Sequence, residues 1–413
     1  MLSLFLAFAA AFLASWLIFL GLARLSGAGN LGWIPRVGDI PRPDLFDLVR
    51  STVTSVGLFA GVFAIIYSYR KQRIEESASR RADAEILSKR YQDAASLLGH
   101  ESAAVRLAGV YALTKLADDD ELQRLTISNV LCAYLRMPYE PEGAPAGERE
   151  VRHAIIRAIA ERLVDPASST SWCGFDLDFT DCVFDGGSFT GAYFTAGRVS
   201  FDGARFIEGH THFDRTHFTG AHVSFGDGDS HGADFCGGNV SFTSAEFSAG
   251  YVTMTFAKFT GGMISFGDAK FKNDGALSFS SADFNGAWLT FGGPIWIGAT
   301  MNGGRISFAG AKLASGLISL DGLDMTDGEI SFESAEFRGA GLSFYRAELR
   351  GGKVDFTDAR FESGKISWED AGVAENVVQP WPLPRFPRTP RRVPLPKWRR
   401  FLPPRVRRKF PGA

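Results

Sequence analysis

Cysteine is scarce. Only Cys132, Cys173, Cys182 and Cys236 occur in 413 residues, and none forms a CxxC pair. That argues against a disulfide framework and a zinc ribbon, and it suits a reducing compartment. Net charge is nearly absent as well, formally −2, so global electrostatics names no partner. Catalytic signatures are missing: no GxSxG, HExxH, P-loop or GxGxxG stands in a supporting context. No Ser/His/Asp or Cys/His arrangement can be assembled, so the chain reads as a non-enzyme with no cofactor and no small-molecule substrate. Tyrosine and tryptophan are few, nine and eight, beside 36 phenylalanines and 46 glycines. Such a bias selects a flat, wholly apolar filler.

Two long runs lack charge. Leu2 to Leu22 is uncharged over a length that spans a bilayer as a helix, and so is Ser51 to Tyr69. A cleaved signal peptide, the rival reading of the first run, calls for basic residues before a shorter apolar core. The sequence therefore predicts transmembrane helices at 1–24 and 51–70 joined by a loop at 25–50. Arg70, Lys71, Arg73, Arg80 and Arg81 follow the second run, which favours a cytoplasmic C-terminal side. The expectation is a multi-pass cell-membrane protein with its soluble part and both termini in the cytoplasm.

Residues 71–165 turn helical, read as a charged stalk and a small bundle. Ser102 is a natural N-cap for a stripe of Val105, Ala108, Tyr111 (or Val110) and Leu113. A second stripe runs through Leu122, Leu125, Val130, Leu131, Tyr134 and Leu135. After the Pro/Gly break at 137–147, Val151, Ile155, Ile156, Ile159 and Leu163 form a third.

Residues 172–373 are a repeat array. Phe179, Phe184, Phe189 and Phe194 stand five apart. The spacing then alternates five and seven. The first member of each twelve falls at Phe201, Phe213, Phe225, Phe242, Met254, Phe266, Phe279, Phe291, Phe308, Leu320, Phe332, Phe344, Phe356 and Trp368. Two residues before nearly every one stands an aliphatic, as in Ile330 before Phe332, with Thr211 the exception; before the second member usually stands alanine, as in Ala335 before Phe337. Residues i−2 and i share a strand face, so both pairs point inward. Two gaps, Phe225 to Phe242 and Phe291 to Phe308, carry five surplus residues, which suggests that five is the structural module. Frequent glycine and the wrong apolar period exclude a heptad helix. A β-solenoid fits, with two twelves per coil, about eight coils and a rod near ~40 Å long.

The Ala-x-Phe-x-x units with Asp or Gly at the corners resemble the pentapeptide-repeat family. VSFxxAxFxxGx is similar to a twelve-residue variant from actinobacteria, and AVRLAGVYALTKLADDD with VLCAYLRMPYE resembles the helical region that precedes such arrays in membrane proteins. The resemblance covers about half of the chain. It implies an all-β right-handed quadrilateral β-helix, here preceded by two transmembrane helices and a small α-helical bundle.

The tail, 374–413, is rich in proline and basic groups and reads as disordered. Arg391, Arg392, Arg399, Arg400, Arg407 and Arg408 suit contact with anionic lipid; nucleic acid would use the same charges and is the less favoured partner. His210, His212, His217, His222 and His231 cluster with Cys236, but the repeat phase sends them to different faces, so no metal site is expected. Asp227, Asp229, Asp324 and Asp327 read as solvated corner charges, the nonapeptide calcium pattern being absent. The leading expectation is a membrane-anchored scaffold that presents a rigid β-helix to an unknown protein partner. The alternative is a DNA mimic that binds a topoisomerase, since the array holds about 26 acids against about 14 bases.

Overall fold

A computed structural model describes residues 12–21, 24, 42–226, 231–293, 298–375 and 377–379. The chain divides into two compact units, Met1–Lys89 and Arg90–Ala413.

The first unit corrects the membrane reading. Among the described residues, no helix is long and apolar enough to cross a membrane. The described part of the first run, residues 12–21, is helical. Residues 2–11 and 22 of that run lie outside the described residues. The second run is not a discrete span. It lies inside a 57-residue helix, α1 (Arg42–Leu98), in which Ser51, Thr52, Thr54, Gly57, Gly61 and Ser68 dilute the apolar residues and charges crowd both flanks. The expected transmembrane helices at 1–24 and 51–70, and the multi-pass localisation built on them, are therefore not supported.

The second unit is a short helical module followed by a solenoid of parallel strands. Each coil contributes four strand segments, which stack into four walls. The first wall runs Leu177, Val199, Val223, Val252, Leu277, Ile306, Ile330, Val354, Val378. The second runs Phe184, Phe206, Phe235, Phe259, Phe284, Leu313, Phe337, Phe361. The third carries Thr211, Val240, Ile264, Leu289, Ile318, Leu342 and Ile366; the fourth carries Phe194, Phe218, Phe247, Phe271, Met301, Met325, Leu349 and Val373. Ile306 pairs with Ile330 and Ile330 with Val354, an advance of 24 residues per coil. Two twelves thus make one turn. Neighbouring strands lie ~4.8 Å apart, and flat rings stack at that distance. Phe279, Phe308, Phe332 and Phe356 follow one another at centroid separations of 4.9, 4.8 and 5.0 Å. This is why phenylalanine prevails over its polar relatives: a hydroxyl or indole N–H inside the column would have no partner, and Trp368 stacks on Phe344 only where the column is half-buried.

Phe201, Phe213, Phe225, Phe242, Phe266, Phe332, Ala335, Phe337, Phe344 and Phe356 are all buried. The serine of each VSF unit has a local task. Ser200 Oγ accepts from the Asp202 N–H at 3.2 Å, and Ser307 and Ser331 do the same two residues on, which turns the corner. Glycine is required at corners such as Gly352, where φ is 76° and a Cβ would sit 2.5 Å from the Gly328 carbonyl oxygen.

The two surplus fives do not add walls. Ala233 N–H donates to Phe225 O at 2.7 Å, as Ala204 N–H does to Phe201 O at 3.0 Å in an ordinary coil. Ala299 N–H reaches Phe291 O at 2.8 Å in the same way, and Gly292 and Gly298 form an antiparallel bridge between them. The chain closes each corner as though the insertion were not there. The surplus thus adds no fifth wall, while in the first coil the strict fives from Phe179 to Phe194 do give one unit to each wall.

The helical module comprises α2 (Ala103–Asp119), α3 (Glu121–Leu135) and α4 (Glu148–Glu161). Val110, Leu113, Leu116, Ile127, Leu131, Val151, Ile155 and Ile159 fill its core. The expected stripe of α3 is out of phase at its start: Leu122 is 86% exposed and Leu125 is exposed, while Ile127 and Ser128 are buried. In α2, Tyr111 and Ala108 face outward and Val110 faces inward. Ser102 is the N-cap residue of α2, but its side chain makes no capping hydrogen bond.

This module closes the open end of the solenoid. The first coil has no coil before it to receive its strand N–H groups. Tyr193 N–H instead donates to Leu163 O at 2.7 Å, just beyond α4. Ile156 packs within 3.1 Å of where a Cβ on Gly187 would lie, and Trp172 is fully buried at the junction. A stacked array needs such a cap because a bare strand edge is a template for pairing with another chain.

Candidate functional site

The seam between the helical module and the first coil is held by Asp185. It stands beside Phe184 on the outward side of the second wall, yet it is 5% exposed. Its carboxylate accepts from Tyr139 Oη at 2.7 Å, Arg149 Nε at 3.0 Å and His153 Nε2 at 2.9 Å. Burial alone would raise this carboxyl. The hydrogen bonds from His153 and Tyr139 and the charges of His153 and Arg149 outweigh it and hold it at about 2. Arg136 with Asp178 and Arg205 with Glu140 (2.8 Å) add further pairs across the same seam. Burial pushes the Tyr139 hydroxyl well above its ordinary range, and its bond to Asp185 adds to that. The cluster is saturated with protein partners, so it acts as a clasp.

A second arrangement lies within the helical module. An open cleft of about 740 Å³ is lined by the end of α1 (Ala95, Leu98), the loop after it, the first turn of α2, the last turn of α3, residues 137–145 and the first turns of α4. That volume is in the range of small-molecule sites. Arg106, Tyr134, Tyr139, Glu148 and Arg152 supply its polar groups. Arg106 Nη2 pairs with Glu148 Oε2 at 2.9 Å, and the Tyr134 hydroxyl donates to the same oxygen at 3.0 Å. Burial and the neighbouring Glu148 push that hydroxyl up to about 12. Arg152 is 2% exposed; it donates to the Leu135 carbonyl at the end of α3 and lies 4.3 Å from the Tyr139 ring centroid.

The histidines do not converge. His210 and His212 stand on the third wall, His217 on the fourth and His222 on the first. His217 stacks on Tyr193 at 4.2 Å, and His212 Nδ1 lies 3.0 Å from Asp214. Among the described residues, no three His, Cys, Asp or Glu side chains are placed to share a metal ion. Asp324 and Asp327 lie on the fourth wall beside Met325. Asp227 and Asp229 lie outside the described residues, as do Arg391, Arg392, Arg399, Arg400, Arg407 and Arg408, the candidates for anionic lipid.

The outer surface of the third wall differs from the rest. Between the buried Ile264, Leu289 and Ile318 and their neighbours, the outward positions hold Met263, Trp288 and Leu317, in lateral register and half-buried. The next rung is Gly341, over which Leu317 Cδ1 lies 3.1 Å from a built Cβ. Asn239 and Lys365 bound this apolar ladder. Elsewhere the outward rungs are mostly polar and many are interlocked by charge, for example Arg305 with Glu329 and Arg338 with Glu336, each at 2.9 Å, while Tyr193 and Tyr251 stack on His217 and His222.

No family model matches the chain, and no curated protein matches it. Neither arginine of the cleft, nor Asp185, nor the Met263–Trp288–Leu317 ladder stands out from repeat spacing alone. A signal was present for the arginines: Arg106 and Arg152 fall on the same helical faces as Val110 and Ile155, where a charge needs a reason.

Proposed function

We propose that this chain is a non-enzymatic interaction scaffold of the pentapeptide-repeat type, whose solenoid presents the outside of its third wall to a protein partner. The observation that carries the reading is the Met263–Trp288–Leu317 ladder. An outward tryptophan flanked by apolar rungs is costly to leave in water and of no use to the core, which is already filled by Leu289 and Phe291. Tryptophan at the centre of a patch ringed by polar groups is the composition of an interface anchor. The parallel ladders hold these rungs in fixed register, so the partner meets a surface ordered in advance and little is lost in ordering it.

A photo-crosslinking residue at position 263, set against one at position 305 on the first wall, tests this in the native host. The reading predicts a discrete adduct from 263 that Trp288→Ser abolishes without lowering the melting midpoint. Equal labelling from both walls, unaffected by Trp288→Ser, would overturn it. The DNA-mimic alternative rests on the acidic surplus of the array; inhibition of a type II topoisomerase by the full chain would favour it instead.

A further inference from the structure

The cleft of the helical module holds two guanidinium groups and one carboxylate between them. Arg106 is 8% exposed and Arg152 is 2% exposed. Buried cations are ordinarily matched by carboxylates or fully hydrogen-bonded. Arg106 spends Nη1 on the carbonyls of His100 (2.9 Å) and Glu101 (2.7 Å) and Nη2 on Glu148, which leaves its buried Nε without a partner among the described residues. Arg152 has no carboxylate within ion-pair distance among them; its hydrogen bond goes to the Leu135 carbonyl. Glu148 sits one turn before Arg152 on α4, but its Oε2 is taken by Arg106 and Tyr134. The other carboxylates on the cleft wall do not repair the balance. Glu140 pairs with Arg205 across the seam, and Glu101 is exposed. The inner wall thus carries one positive charge more than it neutralises. Ala95, Leu98, Met137, Pro138 and Pro145 add an apolar part to the same lining.

We propose that this cleft binds a small organic oxyanion, with its charged head on Arg152 and Arg106 and its apolar body against Leu98, Met137 and Pro138. Guanidinium groups offer paired N–H donors that match the two oxygens of a carboxylate or phosphoryl head, and they bind most strongly where water is excluded. Tyr134 and Glu148 hold Arg106 in place, and the Tyr139 ring and the end of α3 hold Arg152, so both are positioned before the ligand arrives. The site lies in the module that caps the solenoid, and none of Met263, Trp288 and Leu317 lines it. Its occupancy is therefore independent of the scaffold reading, and each can fail without the other.

The test uses the full chain with benzoate, phenyl phosphate, inorganic phosphate and, as the neutral control, benzyl alcohol. Calorimetry and thermal melting are expected to show saturable binding and a raised melting midpoint with benzoate or phenyl phosphate, and none with benzyl alcohol. Which of the two binds more tightly distinguishes a carboxylate from a phosphoryl ligand; binding of inorganic phosphate alone, with no gain from the phenyl group, would overturn the apolar half of the proposal. Arg152→Met is expected to weaken binding by at least about tenfold, and Arg152→Lys to retain part of it. Because Arg152→Met removes a contact to α3, Met137→Glu, at an exposed position of the lining, provides a second variant that places a like charge beside the ligand and should also weaken binding. If no anion binds the wild-type chain at millimolar concentration, or if binding survives both variants, Arg152 is only a strut between α3 and α4 and the proposal is wrong.

Discussion

Phe308 offers the sharpest test of how the solenoid is held together. It is fully buried, and its ring lies parallel to Phe279 at 4.9 Å and to Phe332 at 4.8 Å. Its backbone is tied to the coils by Phe308 N–H to Ser331 O and Ala311 N–H to Phe308 O, 2.7 and 3.0 Å. Truncation to alanine leaves this ladder intact, so the coils cannot close on the missing ring, and the cavity persists. The cost should therefore reach the usual range for a buried aromatic, about 3–5 kcal/mol. Leucine should cost only about 1 kcal/mol, because Leu320 already fills the corresponding place between Phe291 and Phe344. Urea unfolding followed by circular dichroism gives the two values, and hydrogen exchange gives their location. In a stacked array each coil depends on its neighbours, so exchange should quicken around Phe284 and Phe332 and stay slow around Phe201. A loss below about 1 kcal/mol for Phe308→Ala, or equal losses for alanine and leucine, would refute the argument from rigid stacking.

Other outcomes follow from single residues. Ala335→Leu overfills the corner next to Phe332 and should cost about 1–3 kcal/mol by the same titration. Gly352→Ala must hold a left-handed backbone and meet the Gly328 oxygen, so about 1–2 kcal/mol is lost from the backbone alone. The Asp185 carboxyl is held at about 2, below its ordinary 3.8, so its contribution is fully present above about pH 4 and is lost as pH falls through about 2. Asp185→Asn should therefore melt below wild type at neutral pH, with the gap closing in acid. Burial pushes the Cys132 and Cys182 thiols up to about 12, whereas Cys236 is exposed. Iodoacetamide at mild alkaline pH should label Cys236 in the folded chain and reach the other two only on unfolding.

The array was legible because its signal is redundant. A Phe every five and seven residues, each with its small or aliphatic companion two before, leaves one phase for the core, and the coils follow it from Phe179 to Trp368. The surplus fives mislead because they keep the phase: Phe235 after Ala233 looks like one more wall, but it stands on the second wall itself, and the bond from Ala233 back to Phe225 closes the corner across the surplus. Helical stripes were less legible. Leu122 and Leu125 are apolar and correctly spaced but lie on the solvent side, since propensity and spacing do not say which neighbour a helix will meet. Arg106 and Arg152 leave no mark on a stripe read from its apolar members. The second uncharged run fails as a discrete membrane span because absence of charge is weaker than apolarity: serine, threonine and glycine interrupt it inside a much longer helix.

The central claim, that the third wall is the working surface, is tested most directly by hydrogen exchange of the full chain with and without the protein captured from position 263. The account predicts slowed exchange on 263–265, 288–290 and 317–319, lost with Trp288→Ser. Slowing confined to the helical module or to the first wall, or none at all, would contradict it.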